Sequence, residues 1–142
     1  MPTVIPDLDA PIVPGVSCAG ISIGCEIKAL LTVPEPVLRP VQKYEFHQFQ
    51  SVKVWSVSGV IVQIGALEGY RGLLDGKIGI GTTIAEVEDW GVCTVTEGEY
   101  DELIAAGKPG WSFETEQWNG NHKIDMNRDS RITAILVHRI AG

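Results

Sequence analysis

The clearest pattern along the chain is the alternation of apolar and polar residues in two stretches, 51–57 and 60–64. A period of two places successive side chains on opposite faces of a strand, so both stretches are predicted strands. Ser58-Gly59 separates them, and a two-residue turn of this composition favours a tight hairpin. A third stretch, 44–49, is aromatic and alternates for most of its length, which predicts another strand before the hairpin.

A second pattern is a repeat at a fixed separation. Residues 21–30 (ISIGCEIKAL) return as residues 78–87 (IGIGTTIAEV), so that the isoleucines and the glycine at position 24 recur 57 positions later. Such an echo indicates duplicated supersecondary units. Each copy predicts a short strand, a turn glycine and a helix. The first helix is expected at 26–31. The second is expected to begin at Thr82 or Thr83, with Glu86 placed to complete a capping box if Thr83 is the cap, and to end at Gly91.

The remaining patterns complete the predicted fold. A helical turn is expected within 99–106, and strands are expected at 110–116 and 131–138. The fold class predicted is α+β, with two tandem strand-helix-strand-strand units that form an antiparallel sheet with helices packed on one face. Four prolines within residues 1–15 predict an extended arm. Residues 16–142 are then a single domain of two pseudo-repeats, at about 16–67 and 73–140.

Charge and composition narrow the possible partners. The net charge of −7 opposes binding to nucleic acid or to an anionic membrane, and it suits a basic protein partner, with solubility alone as the alternative. No apolar run is long enough to span a membrane, and the N-terminus lacks the regions of a secretory signal. Three cysteines without CxxC spacing fit a reducing compartment, so a cytoplasmic protein is expected.

The best candidate for a partner-binding surface is an acidic segment interleaved with aromatic residues. Acidic groups beside Tyr and Trp anchors suit the binding of a basic protein. The alternative is a solvated turn in which Trp111 is buried as the first residue of a strand. Tyr70-Arg71, in a glycine-rich link, is a second exposed candidate or else the hinge that packs one unit on the other. The candidates are Glu97, Glu99, Tyr100, Asp101, Glu102, Trp111, Tyr70 and Arg71.

One string has the spacing of metal ligands. Asp125, Asn127 and Asp129 stand at alternate positions, as in the front half of a calcium loop. Ser130 replaces the glycine that makes the bend, and Leu136 stands where a bidentate glutamate belongs. The alternative is a polar connection with Asx-turns. The sequence therefore predicts no metal and no cofactor, and it carries no recognised catalytic signature.

Two stretches resemble known families. YRGLLDGKIGIGTTIAEVEDWG, at 70–91, together with the later GWSFETE, is similar to small bacterial proteins, some of which resemble the immunity partners of polymorphic or contact-dependent toxins. The repeated strand, glycine and helix start also resembles the duplicated units of β-lactamase inhibitory protein. These resemblances imply a module that binds other proteins and has no catalytic residues.

Three functional hypotheses follow. The first is a non-enzymatic protein-binding module, in its narrower form an immunity protein that masks a basic toxin domain. The second is a small-ligand-binding protein or an unrecognised enzyme, with a pocket between sheet and helices that uses Trp55, Trp111, Tyr44 or His47. The third is an accessory protein that associates with itself through an exposed sheet edge.

Overall fold

The fold is a single antiparallel sheet with a small ribbon and one helix. The computed structural model describes residues 6–30, 44–97, 102–116 and 128–139. Its seven-stranded sheet has the order β3-β4-β5-β9-β8-β7-β6, and β1 pairs with β2 in a separate ribbon. The elements are β1 Ser17–Cys18, β2 Ile21–Ser22, a 3₁₀ turn at Ile27–Ala29, β3 Tyr44–Phe49, β4 Val52–Val57, β5 Val60–Ala66, α1 Ile84–Gly91, β6 Val95–Glu97, β7 Leu103–Ala105, β8 Trp111–Thr115 and β9 Ile132–His138.

The predicted hairpin is confirmed. β4 and β5 pair antiparallel, and Val57 stands opposite Val60 across the turn. Ser58 and Gly59 both have positive φ, at 51° and 81°. Two successive residues with positive φ are typical of the type I′ turn, whose twist matches that of the flanking strands.

The predicted α+β fold is wrong, because the described chain is mostly β and has one short helix. In the first half the predicted helix is only the 3₁₀ turn, whose N-cap residue, Glu26, forms no capping hydrogen bond with its side chain. In the second half the predicted capping box of Thr83 and Glu86 is present, and α1 runs for eight residues. A short helix whose first backbone N–H groups lack hydrogen-bond partners is only marginally stable. The capping box therefore explains why the second half forms an α-helix and the first half does not.

The predicted end of the second helix is confirmed, because α1 ends at Gly91, and its C-cap Val92 takes the left-handed conformation at φ 47°. The predicted helical turn within 99–106 is instead β7 where the chain is described, and both Leu103 and Ala105 are buried. The alternation of buried positions across this segment has the period of a strand, and its pairing with neighbouring strands overrides the local helical pattern.

The two halves place their repeated segments against the sheet in the same way. Gly24 donates its backbone N–H to the carbonyl of Ile61 at 2.8 Å, and Gly81 donates to that of Ile132 at 2.9 Å. Both glycines adopt positive φ, 94° and 96°, a conformation that few other residues take easily. The register shifts at matching places, between Trp55 and Ser56 and between Glu114 and Thr115. The limits of the pseudo-repeats at 16–67 and 73–140 stay a prediction.

The halves meet where β5 pairs with β9. Gly65 stands opposite Leu136 at the centre of this pairing, flanked on one side by Ile64 with Val137 and on the other by Ala66 with Ile135. A Cβ on Gly65 would lie 3.0 Å from Cδ2 of Leu136 and 3.2 Å from Cζ3 of Trp55. These side chains therefore occupy the space beside the glycine, and a larger residue there would have to displace them.

The core lies on one face of the sheet. The segment that contains the ribbon, the glycine-rich link and α1 cover this face with buried aliphatic side chains. Ile12, within the predicted proline-rich arm, is 2% exposed and forms a bridge with Leu74. Residues 6–15 thus pack on the domain, whereas residues 1–5 lie outside the described ranges. The sheet contributes Val52, Val54, Ile61, Ile64, Leu103, Phe113, Ile132, Ile135 and Val137 to this core.

The opposite face is here called the open face. The strand registers place on it Phe46, Gln48, Lys53, Trp55, Gln63, Gly65, Leu136, His138, Ser112, Glu114, Ala134, Ile104 and Thr96. None of these residues belongs to the hydrophobic core cluster of the described chain or to the partly buried residues packed against it. Three small residues among them, Gly65, Ser112 and Ala134, are buried, and the others are half-buried or exposed. As far as the described residues show, the core layer covers the other side of the sheet.

Tyr70 joins the glycine-rich link to the N-terminal segment. Its hydroxyl donates to the carbonyl of Ala10 at 2.5 Å and accepts from the backbone N–H of Ala19 at 2.9 Å. The side chain is 4% exposed. Both backbone groups would lose this partner in Tyr70→Phe, and an unpaired buried group costs about 1–3 kcal/mol.

We therefore expect Tyr70→Phe to lower the free energy of unfolding by about 2 kcal/mol, measured by urea denaturation with circular dichroism. Thr96→Val, at an exposed position on β6, is the control and is expected to change stability by less than about 0.5 kcal/mol. Equal stability of Tyr70→Phe and the wild type would show that these two hydrogen bonds contribute little.

Candidate binding cleft

An open cleft of about 550 Å³ lies where four segments of the chain meet. Residues 11–14 of the N-terminal segment and 73–76 of the glycine-rich link form one side. Trp90, near the end of α1, and residues 107–109, in the turn between β7 and β8, form the other side together with Trp111. The volume falls within the range of about 300–1,000 Å³ that is usual for binding pockets.

The wall of this cleft is apolar and unusually exposed. Val13 is 37% exposed and Leu73 is 40% exposed, and both line the cleft. Among the described residues only Val16 and Val92 are large aliphatic side chains of comparable exposure. Pro11, Pro14 and Pro109 add apolar surface that carries no backbone N–H. A contiguous apolar patch of this kind marks a binding surface more often than scattered apolar residues do.

Two tryptophans form an aromatic wall. Trp111 is 2% exposed and packs edge-on against Trp90, with 6.2 Å between ring centroids and an interplanar angle of 76°. It also stacks on Phe113 at 5.4 Å. Such pairs add about 0.5–1.5 kcal/mol beyond area burial, so the wall is held rigidly. The indole Nε1 of Trp111 is buried without a hydrogen-bond partner in the described structure, so its N–H is available to donate to a bound ligand.

The orientation of Trp90 is fixed by two polar side chains. Its Nε1 donates to Oδ2 of Asp75 at 2.8 Å, and Nζ of Lys108 lies 5.3 Å from its ring centroid. Asp75 sits at φ 56° in the turn between Leu74 and Ile78, so the turn geometry presents the carboxylate to the indole. One anion and one cation thus flank the cleft, and its local charge is balanced.

The predicted acidic segment is described only at its two ends, at β6 and just before β7. Glu97 is exposed at the end of β6, opposite Leu103, and Glu102 is half-buried just before β7. Glu99, Tyr100 and Asp101 lie outside the described residues. Trp111 does not join this group as an exposed anchor, because it is buried at the start of β8 and lines the cleft. The alternative interpretation of Trp111, a buried first residue of a strand, is the one the structure shows.

Tyr70 takes the packing role, whereas Arg71 is exposed and forms an ion pair with the N-terminal segment. Tyr70 is buried against the N-terminal segment. Arg71 forms a two-point ion pair with Asp9, with Nε to Oδ1 at 2.6 Å and Nη2 to Oδ2 at 3.0 Å. The hydrogen bond from Arg71 holds the pKa of the Asp9 carboxyl below its usual range. Tyr70 is therefore no exposed anchor, whereas Arg71 is exposed in its ion pair and stays a candidate contact residue.

Of the four residues named for a pocket between sheet and helices (Trp55, Trp111, Tyr44 and His47), Trp111 lines the cleft described above. His47 is 3% exposed and pairs with Val54 on the core face, and its Nδ1 has no partner in the described structure. Trp55 lies on the open face, whereas Trp111 lies on the core face at the other half of the sheet. Tyr44 starts β3 opposite Val57. Successive side chains of a strand point to opposite faces of the sheet, so the sequence did not show which of these side chains would lie on the same face.

The calcium-like string can be placed only in part. Asp129 is exposed in the turn that leads into β9, while Asp125 and Asn127 lie outside the described ranges. Within those ranges, no group of three or more His, Cys, Asp or Glu residues is arranged to hold a metal ion. No helix there is both long and apolar enough to cross a membrane.

Comparisons with protein-family models, with curated proteins and with solved structures give no match for this chain. The candidate site therefore depends on its own geometry. Sequence patterns did not indicate the cleft, because its walls come from segments that are far apart in the chain. The one available signal was the concentration of Pro and Gly around exposed aliphatic residues at 11–14 and 73–76.

Cys18 is buried against Tyr70, and burial raises the pKa of its thiol to about 11. The thiol therefore stays protonated in the folded protein between about pH 9 and 11, where an unfolded cysteine would ionise. Its contribution to stability is present below about pH 9 and is lost as the pH rises towards 11. Cys25 and Cys93 are half-buried.

We expect iodoacetamide at pH 8 to alkylate Cys25 and Cys93 at least tenfold faster than Cys18, measured by mass spectrometry. In urea the three thiols should react at similar rates, which serves as the control. Rapid labelling of Cys18 in the folded protein would contradict its burial.

Proposed function

We propose that this protein is a non-enzymatic protein-binding module whose cleft receives an apolar anchor from a partner. The observation that carries the proposal is the exposed apolar wall of Val13 and Leu73 beside the rigid Trp90–Trp111 pair. Interfaces concentrate their binding energy where one large side chain enters a well-packed pocket. A cleft of about 550 Å³ has room for such a side chain and part of its backbone.

The partner is proposed to be basic. The chain carries a net charge of −7, which would accelerate the approach of a cationic protein. Charge at the cleft itself is balanced by Asp75 and Lys108. We therefore assign the electrostatic attraction of a basic partner to acidic residues on the surface around the cleft, including Glu97 at the end of β6. In its narrower form the proposal is an immunity protein that neutralises a basic toxin domain, and the acidity and the resemblance of residues 70–91 support it.

The cleft is tested by Leu73→Asp, which places a charge in its apolar wall. Affinity capture from the source lysate, followed by binding measurements with the purified partner, should show a Kd raised at least 30-fold, about 2 kcal/mol. Val92→Asp is the matched control, because Val92 is 92% exposed and does not line the cleft. Equal affinities for Leu73→Asp and Val92→Asp would remove the cleft from the interface.

The acidic surface is tested separately by Glu97→Lys. Since Glu97 is exposed and lies away from the cleft walls, we expect its reversal to lower the association rate about two- to fivefold at low salt. The dissociation rate should change little, and the effect should fade at 0.5 M NaCl. Leu73→Asp should act mainly on dissociation. An unchanged association rate at low salt would exclude this end of β6, and stopped-flow fluorescence distinguishes the two results.

A second candidate function is supported by the buried indole of Trp111. A small apolar ligand with a carbonyl or hydroxyl oxygen could accept from its unpartnered Nε1, given a slight opening of the cleft. The capture experiment separates the two functions, because this candidate would yield a bound small molecule and no protein whose binding depends on Leu73.

A further inference from the structure

The open face carries a continuous apolar stripe across the middle of the sheet. Phe46 on β3 stands opposite Trp55 on β4. The Trp55 ring reaches over Gly65 on β5, and Leu136 on β9 stands opposite that glycine. Phe46, Trp55 and Leu136 are each half-exposed, and none belongs to the core cluster. A sheet usually buries both of its faces or keeps one polar, so this stripe indicates a surface with a partner.

Two charged side chains flank the stripe, one in each half. Lys53 is on β4 and Glu114 is on β8, and the registers place no other charged strand residue on the open face in the described ranges. Nζ of Lys53 lies 4.3 Å from the ring centroid of Phe46 and 5.1 Å from that of Trp55. The strands β4 and β8 are three strand spacings apart, about 14 Å. Lys53 and Glu114 therefore cannot pair within one chain.

We propose that a second copy of this chain packs on the open face, with a twofold axis that runs along the strands between β5 and β9. The rotation places β4 of each copy over β8 of the other. Lys53 then faces the strand that carries Glu114, and the pair forms twice. The two Leu136 side chains then meet beside the axis, and Phe46 and Trp55 of each copy lie over β7, which carries Ile104, and β8 of the other, as in the aligned packing of two sheets.

The charges select this arrangement over the other face-to-face twofold arrangement. An axis perpendicular to the strands would place β4 over β4, so that Lys53 would face its own copy. Like charges across an apolar interface oppose association, whereas the axis along the strands pairs opposite charges.

The size of the face sets the expected affinity. Seven strands at about 4.8 Å spacing and about 20 Å length give roughly 600 Å² per copy. Two such faces bury about 1,200 Å², the lower end of the range for specific interfaces. A reversible dimer with a Kd in the micromolar range (~1–100 µM) is therefore expected.

The test is sedimentation velocity of the full chain at about 1–500 µM. The wild type should shift from monomer to dimer across this range. Lys53→Glu and Glu114→Lys should each weaken dimerisation about tenfold, because each places like charges together twice. The double variant Lys53→Glu/Glu114→Lys should restore the wild-type Kd within about threefold. Circular dichroism checks that each variant is folded.

Two controls separate this face from other surfaces. Lys77→Glu changes the same charge in an exposed turn of the link and should leave dimerisation unchanged. Leu73→Asp alters the cleft and should also leave dimerisation unchanged. A failure of the dimer proposal can therefore be distinguished from a failure of the proposed binding function of the cleft. A wild type that stays monomeric at 500 µM would overturn the proposal. A dimer that neither single charge reversal weakens would also overturn it, as would single variants whose dimerisation the double variant does not restore. If another part of the chain or another protein covers the open face, the wild type should stay monomeric.

Discussion

The pairing of β5 with β9 is the contact on which the rest of the structure depends. It joins two three-to-four-stranded halves into one sheet, and its central residue, Gly65, has Trp55 and Leu136 in the space that a side chain would fill. Without this pairing each half would expose one more strand edge and would have too little apolar area to bury. Because Ile64, Val137 and their neighbours in this pairing are also core residues, the same contact aligns the strands and closes the hydrophobic core.

The elements that could be predicted from the sequence are those set by local chemistry. Ser58-Gly59 specifies its turn, and the Thr83–Glu86 box specifies the start of α1. The fold class was not predictable in this way, because the repeat that echoes α1 at residues 27–29 lacks the cap and stays a 3₁₀ turn. The role of Tyr70 depends on backbone atoms of Ala10 and Ala19, at sequence separations of 60 and 51. No pattern in one segment contains that information.

The candidate site was even less predictable from the sequence than the fold. Trp90 is directed into the cleft by Asp75, and Leu73 lines it beside Val13, so each wall depends on contacts between distant segments. The acidic segment was visible because its residues are consecutive, and only its flanks, Glu97 and Glu102, are described. A cleft on the core side and an open face on the other leave the two proposed interactions physically separate, so one chain can engage in both at the same time.

In the described part of the chain, the capping box is present in one half only, and this affects how many partners one chain can bind. α1 is long enough to bring Trp90 to the cleft, whereas the corresponding 3₁₀ turn ends at Ala29 after three residues. Among the described residues, the cleft of about 550 Å³ lies beside α1, whereas the 3₁₀ turn borders a smaller hollow of about 210 Å³. The large cleft therefore gives a single chain one place to bind a partner. Any bivalent behaviour would have to come from a pair of chains, whose clefts would face outward on opposite sides. Cross-linking of partners would then depend on protein concentration, although binding at each cleft would not.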